Sequence, residues 1–379
     1  MPEIQDIFNL IKPTGLSPDQ SKAFFSITNC RTDKLGSHVD RCDSCESITI
    51  SYNSCRNRHC PKCQGSKQNE WVQAQLAKLL PISYFHVVFT LPQELNTIVF
   101  QNQKLLYALL LKCAGDTITE LSLDPKHLGA ITGVTAVLHT WGQNLSFHPH
   151  VHCIVPGGGL SLDGLKFKTS SKKFFLPVKT LSRKFRGKFL FHLKKAWNEG
   201  NIEFFNDAME LAQGLKFLDF INMLHLKEWV VFSKKTFKSP HHVVKYLGRY
   251  THKVAISNSR IISSDGSTVT FKWRDYKDKN RVKVMNLDNE EFVRRFMLHV
   301  LPSGFTRIRH YGLLSSRNIE TKLALCIKLL GMCMSKRPAD VPEISKYVRV
   351  CPSCGGVMVF AGLINKELIG LMHQSTAAP

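Results

Sequence analysis

Three histidines recur at every second position in Phe147-His148-Pro149-His150-Val151-His152-Cys153-Ile154-Val155. On a β-strand such side chains share a face, so His148, His150 and His152 line one side, and Val151, Cys153 and Val155 point to the other. Two imidazoles one residue apart on a rigid strand can hold a divalent ion and leave positions open for a phosphate and a further ligand. A second element is Tyr246-Leu-Gly-Arg-Tyr250. Residues four apart on a helix stand about 6 Å apart along the axis on one face, so both phenols would look into one cleft. Either pattern alone has a bland reading, as a chance pair of surface histidines or as two tyrosines anchoring a helix. Together they suggest phosphoryl transfer. A phenol is a poor nucleophile near neutrality because its pKa is about 10, and a cation on the imidazoles would polarise a phosphate for attack. The products would be a 5′-phosphotyrosine and a free 3′-hydroxyl, and the covalent link would let the strand be rejoined without ATP.

The cysteines suggest a different metal chemistry. Cys42-Asp-Ser-Cys45 and Cys60-Pro-Lys-Cys63 are two CxxC knuckles with fourteen residues between them. Each tight turn can present two thiolates, and two such turns complete a tetrahedral zinc site, so Cys42, Cys45, Cys60 and Cys63 are expected to share one Zn²⁺. Cys30, His38, Cys55 and His59 lie nearby as ligands of a second zinc, or equally as core or supporting residues. A third knuckle, Cys351-Pro-Ser-Cys354, is a half-site that Cys326, Cys333 or His373 would complete only by folding back. The segment from Cys30 to Cys63 is poor in large aliphatic residues, so a metal would serve as its staple.

The 379 residues carry 51 Lys and Arg against 29 Asp and Glu, a formal net charge of +22. A field of that sign favours nucleic acid as partner. Gly164 to Trp197 holds 11 basic residues and no acid. Lys172, Lys173, Arg183, Lys184, Arg186 and Lys188 are expected phosphate contacts, with Arg56 and Arg58 as a basic edge of the zinc module. The interleaved phenylalanines read as core. Met1 to Pro13 lacks a basic start followed by an apolar run. The longest apolar stretches, such as Leu105 to Leu111 and Leu323 to Met334, are too short or interrupted for a bilayer. A cytoplasmic location is therefore expected, where cysteine clusters point to metal rather than disulfides.

These groups must be positioned by an α+β framework. Leu16-Ser17-Pro18 is a helix start. Strands are expected at Tyr84 to Thr90, Gly129 to Trp141, Pro149 to Val155 and Trp229 to Ser233, and shorter ones near Lys253 to Ile256, Thr268 to Trp273 and Val282 to Met285. Helices are expected over Gln68 to Leu80, Leu105 to Leu121, Lys179 to Trp197, Phe204 to Leu224, His241 to Thr251 and Glu290 to His299. No glycine-rich phosphate loop of nucleotide-binding type occurs. The expected organisation is residues 1–75 as a zinc-binding domain, 80–312 as the nuclease domain and 313–379 as a small tail.

Taken in order, several motifs resemble the HUH (His-hydrophobe-His) endonucleases and, more closely, the two-tyrosine transposases of the insertion-sequence ninety-one family. They are Asn53-Ser-Cys-Arg-Asn-Arg-His-Cys-Pro-Lys-Cys63, Phe85-His-Val-Val-Phe-Thr-Leu-Pro92, His148-Pro-His-Val-His152, Tyr246-Leu-Gly-Arg-Tyr-Thr-His252 and Arg307-Ile-Arg-His-Tyr-Gly312. The resemblance implies a zinc-ribbon or finger-like N-terminal module before a ferredoxin- or RRM-like domain. In that domain helices flank an antiparallel sheet, the histidine strand is central and the tyrosine helix lies beside it. It also implies His150 and His152 as the pair for Mg²⁺ or Mn²⁺, and Tyr246 and Tyr250 as nucleophiles. Gln143 would be the third ligand, with His148 and His86 as rivals. The implied activity is rolling-circle-type transposition on single-stranded or hairpin ends of a mobile element, with self-association open. Rival readings are an HUH replication initiator or relaxase, and a non-catalytic zinc-finger DNA-binding protein.

Overall fold

The computed structural model of the protein describes residues 2–63, 78–170, 175–236, 248, 254–276, 278–331 and 349–364. Tyr246, Tyr250, Lys172, Lys173, Cys333 and His373 lie outside the described residues, as does nearly all of the helices expected over Gln68 to Leu80 and His241 to Thr251. By internal contacts the chain forms two compact units. One comprises Met1–Lys67, Ile256–Val300 and Lys336–Pro379, the other Gln68–Ala255 and Leu301–Ser335. The expected division into consecutive segments 1–75, 80–312 and 313–379 differs from this. Segments far apart in the chain close the first unit, through pairings that leave no trace in local periodicity.

In the first unit, α1 (Ile4–Asn9) and α2 (Pro18–Thr28) lead into β1 (Ser37–Cys42) and β2 (Ile48–Tyr52). Helix α2 starts where the sequence signals it. The Ser17 hydroxyl accepts from the Gln20 amide, the Gln20 side chain accepts from the Ser17 amide, and Pro18 opens the first turn.

The second unit is built on β3 (Tyr84–Thr90), α3 (Asn96–Gln101), α4 (Gln103–Leu123), β4 (Ala130–Ile131), β5 (Gly133–Trp141), β6 (Phe147–Pro156), β7 (Gly158–Ser161), β8 (Phe167–Thr169), α5 (Val178–Asn198), α6 (Gly214–Leu226) and β9 (Val231–Thr236). The rest of the first unit follows as β10 (Ile261–Ser264), β11 (Thr268–Asp275), β12 (Arg281–Asp288) and α7 (Asn289–Met297). Strand β13 (Ile308–Gly312) belongs to the second unit and β14 (Met358–Ile364) to the first. Val254 to Ile256 are buried but form no strand, and the helix expected from Phe204 begins only at Gly214, after a 3-10 turn over Asn206–Ala212.

Five antiparallel strands in the order β13-β5-β6-β3-β9 form the main sheet, so the histidine strand is its middle member. One face packs on α4 and α5. Phe85, Val87 and Phe89 of β3 and Val151, Cys153 and Val155 of β6 join Leu106, Leu110, Phe185 and Phe189 in one core. Each such side chain contributes about 1.5–3 kcal/mol by leaving water. The phenylalanines of α5 divide accordingly: Phe185 and Phe189 are core, while Phe191 faces solvent. In the first unit, Phe8 of α1 stacks on Phe24 of α2 and meets Phe296 of α7 edge-on, which joins residues 256–300 to the N-terminal helices. Among the described residues no helix is long and apolar enough to cross a membrane.

The β13 edge ends on a backbone constraint. Gly312 has φ +60°, and a Cβ there would stand 1.9 Å from the Thr132 carbonyl oxygen, which accepts the Leu313 amide at 3.0 Å. Gly312→Ala is therefore expected to cost about 2 kcal/mol or more. A denaturant midpoint equal to that of the unsubstituted chain would contradict this.

Candidate functional site

Strand alternation puts His150 and His152 on the sheet face opposite α4 and α5, both half-buried. Their ring nitrogens have distinct surroundings. His150 Nδ1 lies 2.6 Å from the backbone oxygen of His148, so it carries the proton and donates to that carbonyl. His150 Nε2 lies 3.1 Å from His152 Nε2. On the far side of its ring, His152 Nδ1 is 2.7 Å from His86 Nε2, and the two rings stack with 5.0 Å between centroids. His86 is buried, which holds its pKa down at about 4 and keeps it neutral. A neutral His86 can accept a hydrogen bond from the His152 Nδ1–H, which leaves the His152 Nε2 lone pair on the side facing His150. Ligating histidines are commonly fixed in this way through their second nitrogen.

The third member of the cluster is His139. Ligand nitrogens of His139, His150 and His152 all lie within 4.8 Å of one another. The two Nε2 atoms, 3.1 Å apart, have the separation expected of neighbouring ligands about 2.1 Å from one ion. His139 sits across from His150 in the β5–β6 pairing and stacks on Trp141 at 4.7 Å. Gln143, the expected third ligand, lies in the turn from Gly142 to Leu145, just beyond the end of β5. The rivals His148 and His86 both touch the pair on β6. His148 lends its backbone oxygen to His150, and His86 supports His152 from behind.

Sequence reasoning missed His139 because the pairing contains a bulge. Trp141 pairs with Phe147, and the register then shifts so that His139 meets His150. A regular hairpin counted from Trp141 and Phe147 would set His139 against Pro149, on the other face. The available signal was the alternation Val137, His139, Trp141 running into a short turn before a histidine strand.

The cysteines form two sets, and neither is the expected one. Cys30, Cys55, Cys60 and Cys63 gather in one cluster, and Cys42, Cys45, Cys351 and Cys354 in another. The knuckles Cys42/Cys45 and Cys60/Cys63 are thus separated. In the first cluster Cys63 Sγ lies 3.5 Å from Cys30 Sγ and 3.6 Å from Cys55 Sγ. Sulfurs about 2.3 Å from one zinc ion at tetrahedral angles stand about 3.8 Å apart. The Cys55 amide donates to Cys30 Sγ at 3.4 Å and the Asn57 amide to Cys55 Sγ at 3.5 Å, so both sulfurs are oriented by the backbone. His38 and His59 join neither set. His38 is held between Asn53 Oδ1 at 3.0 Å and Asp40 Oδ2 at 3.6 Å. Cys326 is buried in an apolar cluster with Leu313 and Leu323.

Of the expected DNA contacts, Arg56 and Arg183 are exposed and Arg58 is half-buried. Lys184 and Lys188 both pair with Glu120, at 3.1 and 2.5 Å, and Arg186 donates to the Lys227 carbonyl. Surface pairs of this kind are worth little, so a phosphate can displace them.

Two substitutions test these centres. His86→Ala is expected to weaken Mn²⁺ binding about 10- to 100-fold while the fold persists; unchanged affinity by calorimetry would remove His86 from the site. Cys60→Ser is expected to release one zinc ion per chain and lower the melting temperature, as read by elemental analysis and thermal denaturation.

Comparison with known proteins places these features in a family. Residues 4–91 match the family model described as "Transposase zinc-binding domain", and residues 133–322 match the one described as "Putative transposase". The chain is 46% identical over 370 residues to "Putative transposase y4qJ" of Sinorhizobium fredii, covering 93% of each chain. It is 26% identical over 373 residues to the "Transposase for insertion sequence element IS801" of Pseudomonas savastanoi pv. phaseolicola, covering 94% of this chain and 87% of that one. No solved structure gives a significant match. The chain belongs to the insertion-sequence ninety-one family of transposases, with a zinc-binding domain at its N-terminal end.

Proposed function

We propose that this transposase nicks single-stranded DNA and transfers the strand through a tyrosine. The carrying observation is the convergence of His139, His150 and His152 nitrogens within 4.8 Å on the face of the main sheet opposite α4 and α5. A divalent cation held there would polarise the scissile phosphate. Three imidazoles suit Mn²⁺ better than Mg²⁺, which prefers oxygen ligands and gives up water reluctantly. His86 and the His148 carbonyl hold the two β6 rings in place, so the ligand nitrogens need little reorganisation on loading.

Tyr246 and Tyr250 are the proposed nucleophiles. The phenol oxygen bonds to phosphorus as the bond from phosphorus to the 3′ oxygen breaks. The phenol proton leaves to solvent, and the departing oxygen takes one up. One phosphodiester is exchanged for another, so the step is nearly neutral in energy and can run backward onto a new 3′-hydroxyl. A second tyrosine allows a second cleavage while the first end is still held. Single-stranded or hairpin ends of a mobile element are the proposed substrate, and the cytoplasm the proposed location. The lysines and arginines of α5, with Arg56 and Arg58, would supply phosphate contacts.

The test is incubation of the purified chain with single-stranded DNA of an element end and Mn²⁺. A protein–DNA adduct that survives denaturation is expected, and it should vanish in the Tyr246→Phe/Tyr250→Phe double variant. His150→Ala should lower cleavage at least about 100-fold with little change in DNA affinity. Full cleavage by that variant would refute the metal assignment, and binding without any adduct would leave a zinc-bearing DNA binder. Affinity should fall steeply with added salt, and a flat response would count against the phosphate contacts.

A further inference from the structure

The cluster of Cys42, Cys45, Cys351 and Cys354 joins two knuckles some three hundred residues apart. Only the first pair falls within the matched zinc-binding region, residues 4–91. The two turns repeat one hydrogen-bond pattern. The Cys42 amide donates to the Ser47 carbonyl at 2.8 Å, and the Cys351 amide donates to the Gly356 carbonyl at 2.7 Å. The Glu46 amide donates to the Cys42 carbonyl at 3.2 Å, and the Gly355 amide donates to the Cys351 carbonyl at 3.0 Å. In both turns the residue after the second cysteine is left-handed, Glu46 at φ +61° and Gly355 at φ +78°.

The two turns face each other. Cys42 Sγ lies 3.5 Å from Cys354 Sγ, and Cys45 Sγ lies 3.7 Å from Cys351 Sγ. These are close to the edges of a tetrahedron about 2.3 Å in radius, as four thiolates form around zinc. The Ser44 amide donates to Cys42 Sγ and the Gly356 amide to Cys354 Sγ, each at 3.4 Å. Around the cluster, β14 pairs antiparallel with β1, and Asp43 exchanges two hydrogen bonds with Val357, both 3.0 Å. Arg349 reaches Asp40 Oδ2 and Ser51 Oγ, each at 2.5 Å. A Cβ on Gly356 would stand 2.6 Å from Ser44 Oγ and 3.0 Å from Cys42 Sγ, so the second turn is seated where only glycine fits.

We propose that Cys42, Cys45, Cys351 and Cys354 bind a second structural zinc ion, which clasps the C-terminal strand β14 onto the N-terminal module. This centre is separate from the nuclease strand and from the Cys30/Cys55/Cys60/Cys63 cluster. The N-terminal module then reaches its final form only after the C-terminal knuckle has been made, because two of its ligands come from there. Four thiols this close cannot all ionise without a cation among them, and binding the ion displaces their protons.

The experiment uses the full chain carrying His150→Ala and His152→Ala, so that zinc on the imidazoles does not enter the count. Elemental analysis is expected to give two zinc ions per chain, and one when Cys351→Ser and Cys354→Ser are added. Two ions remaining in that variant would overturn the proposal, as would a parent chain with a single ion. A second measurement needs no cysteine variant. Cys45 and Cys354 are exposed, yet in the zinc-loaded chain they should alkylate at least tenfold more slowly than after chelation, as mapped by mass spectrometry. Equal rates before and after chelation would overturn the assignment, and so would a chain mass four hydrogens light, which marks disulfides. None of these outcomes bears on strand nicking.

Discussion

The register between β5 and β6 is the constraint on which the proposed chemistry depends. Alternation within β6 puts two imidazoles on one face, but two nitrogens hold a divalent cation weakly. The third comes from the neighbouring strand, and it arrives there because a bulge between His139 and Trp141 re-phases the pairing. Bulges increase local twist and re-aim side chains, and here His139, next to the register shift, stacks on Trp141. A rigid sheet with a filled core beneath it keeps that placement fixed, since Val151 and Cys153 cannot move without opening cavities against α4 and α5.

The cysteine clusters work on a different principle. A polar segment rich in Cys, Asn and Arg has little apolar surface to bury, so its stability comes from links between distant points of the chain. The first cluster ties the end of α2 to the loop after β2, over about thirty residues. The second ties β1 to the C-terminal segment, and antiparallel pairing of β1 with both β2 and β14 gives the same connection in backbone hydrogen bonds. Both clusters have amide donors aimed at sulfur, the arrangement a bound cation exploits when thiols become thiolates.

The basic surface completes a consistent transposase. A net charge of +22 draws the chain to DNA at long range. At short range Lys184 and Lys188 of α5 pair with Glu120 and Arg186 donates to the Lys227 carbonyl, and in the proposed DNA complex a phosphate would compete for these cations.

Much of this was legible from the chain alone. Ser17 and Pro18 announced α2 because capping chemistry is local. Runs of β-branched residues and helical periodicity marked β3 and, to within two residues, β6 and α5; of the α5 phenylalanines read as core, Phe185 and Phe189 are buried and Phe191 is exposed. The family was carried by ordered motifs, and the metal character of the cysteines by their CxxC spacing. Partnership across the sequence was not legible. His139 needed a bulge, Cys42 and Cys45 needed a turn three centuries of residues away, and residues 256–300 needed the ring of Phe8 against Phe296. Local interactions act over a few residues and leave a periodic mark in the sequence. Which knuckle meets which, and which strand faces a histidine, depends on pairings that exist only once the chain has closed on itself.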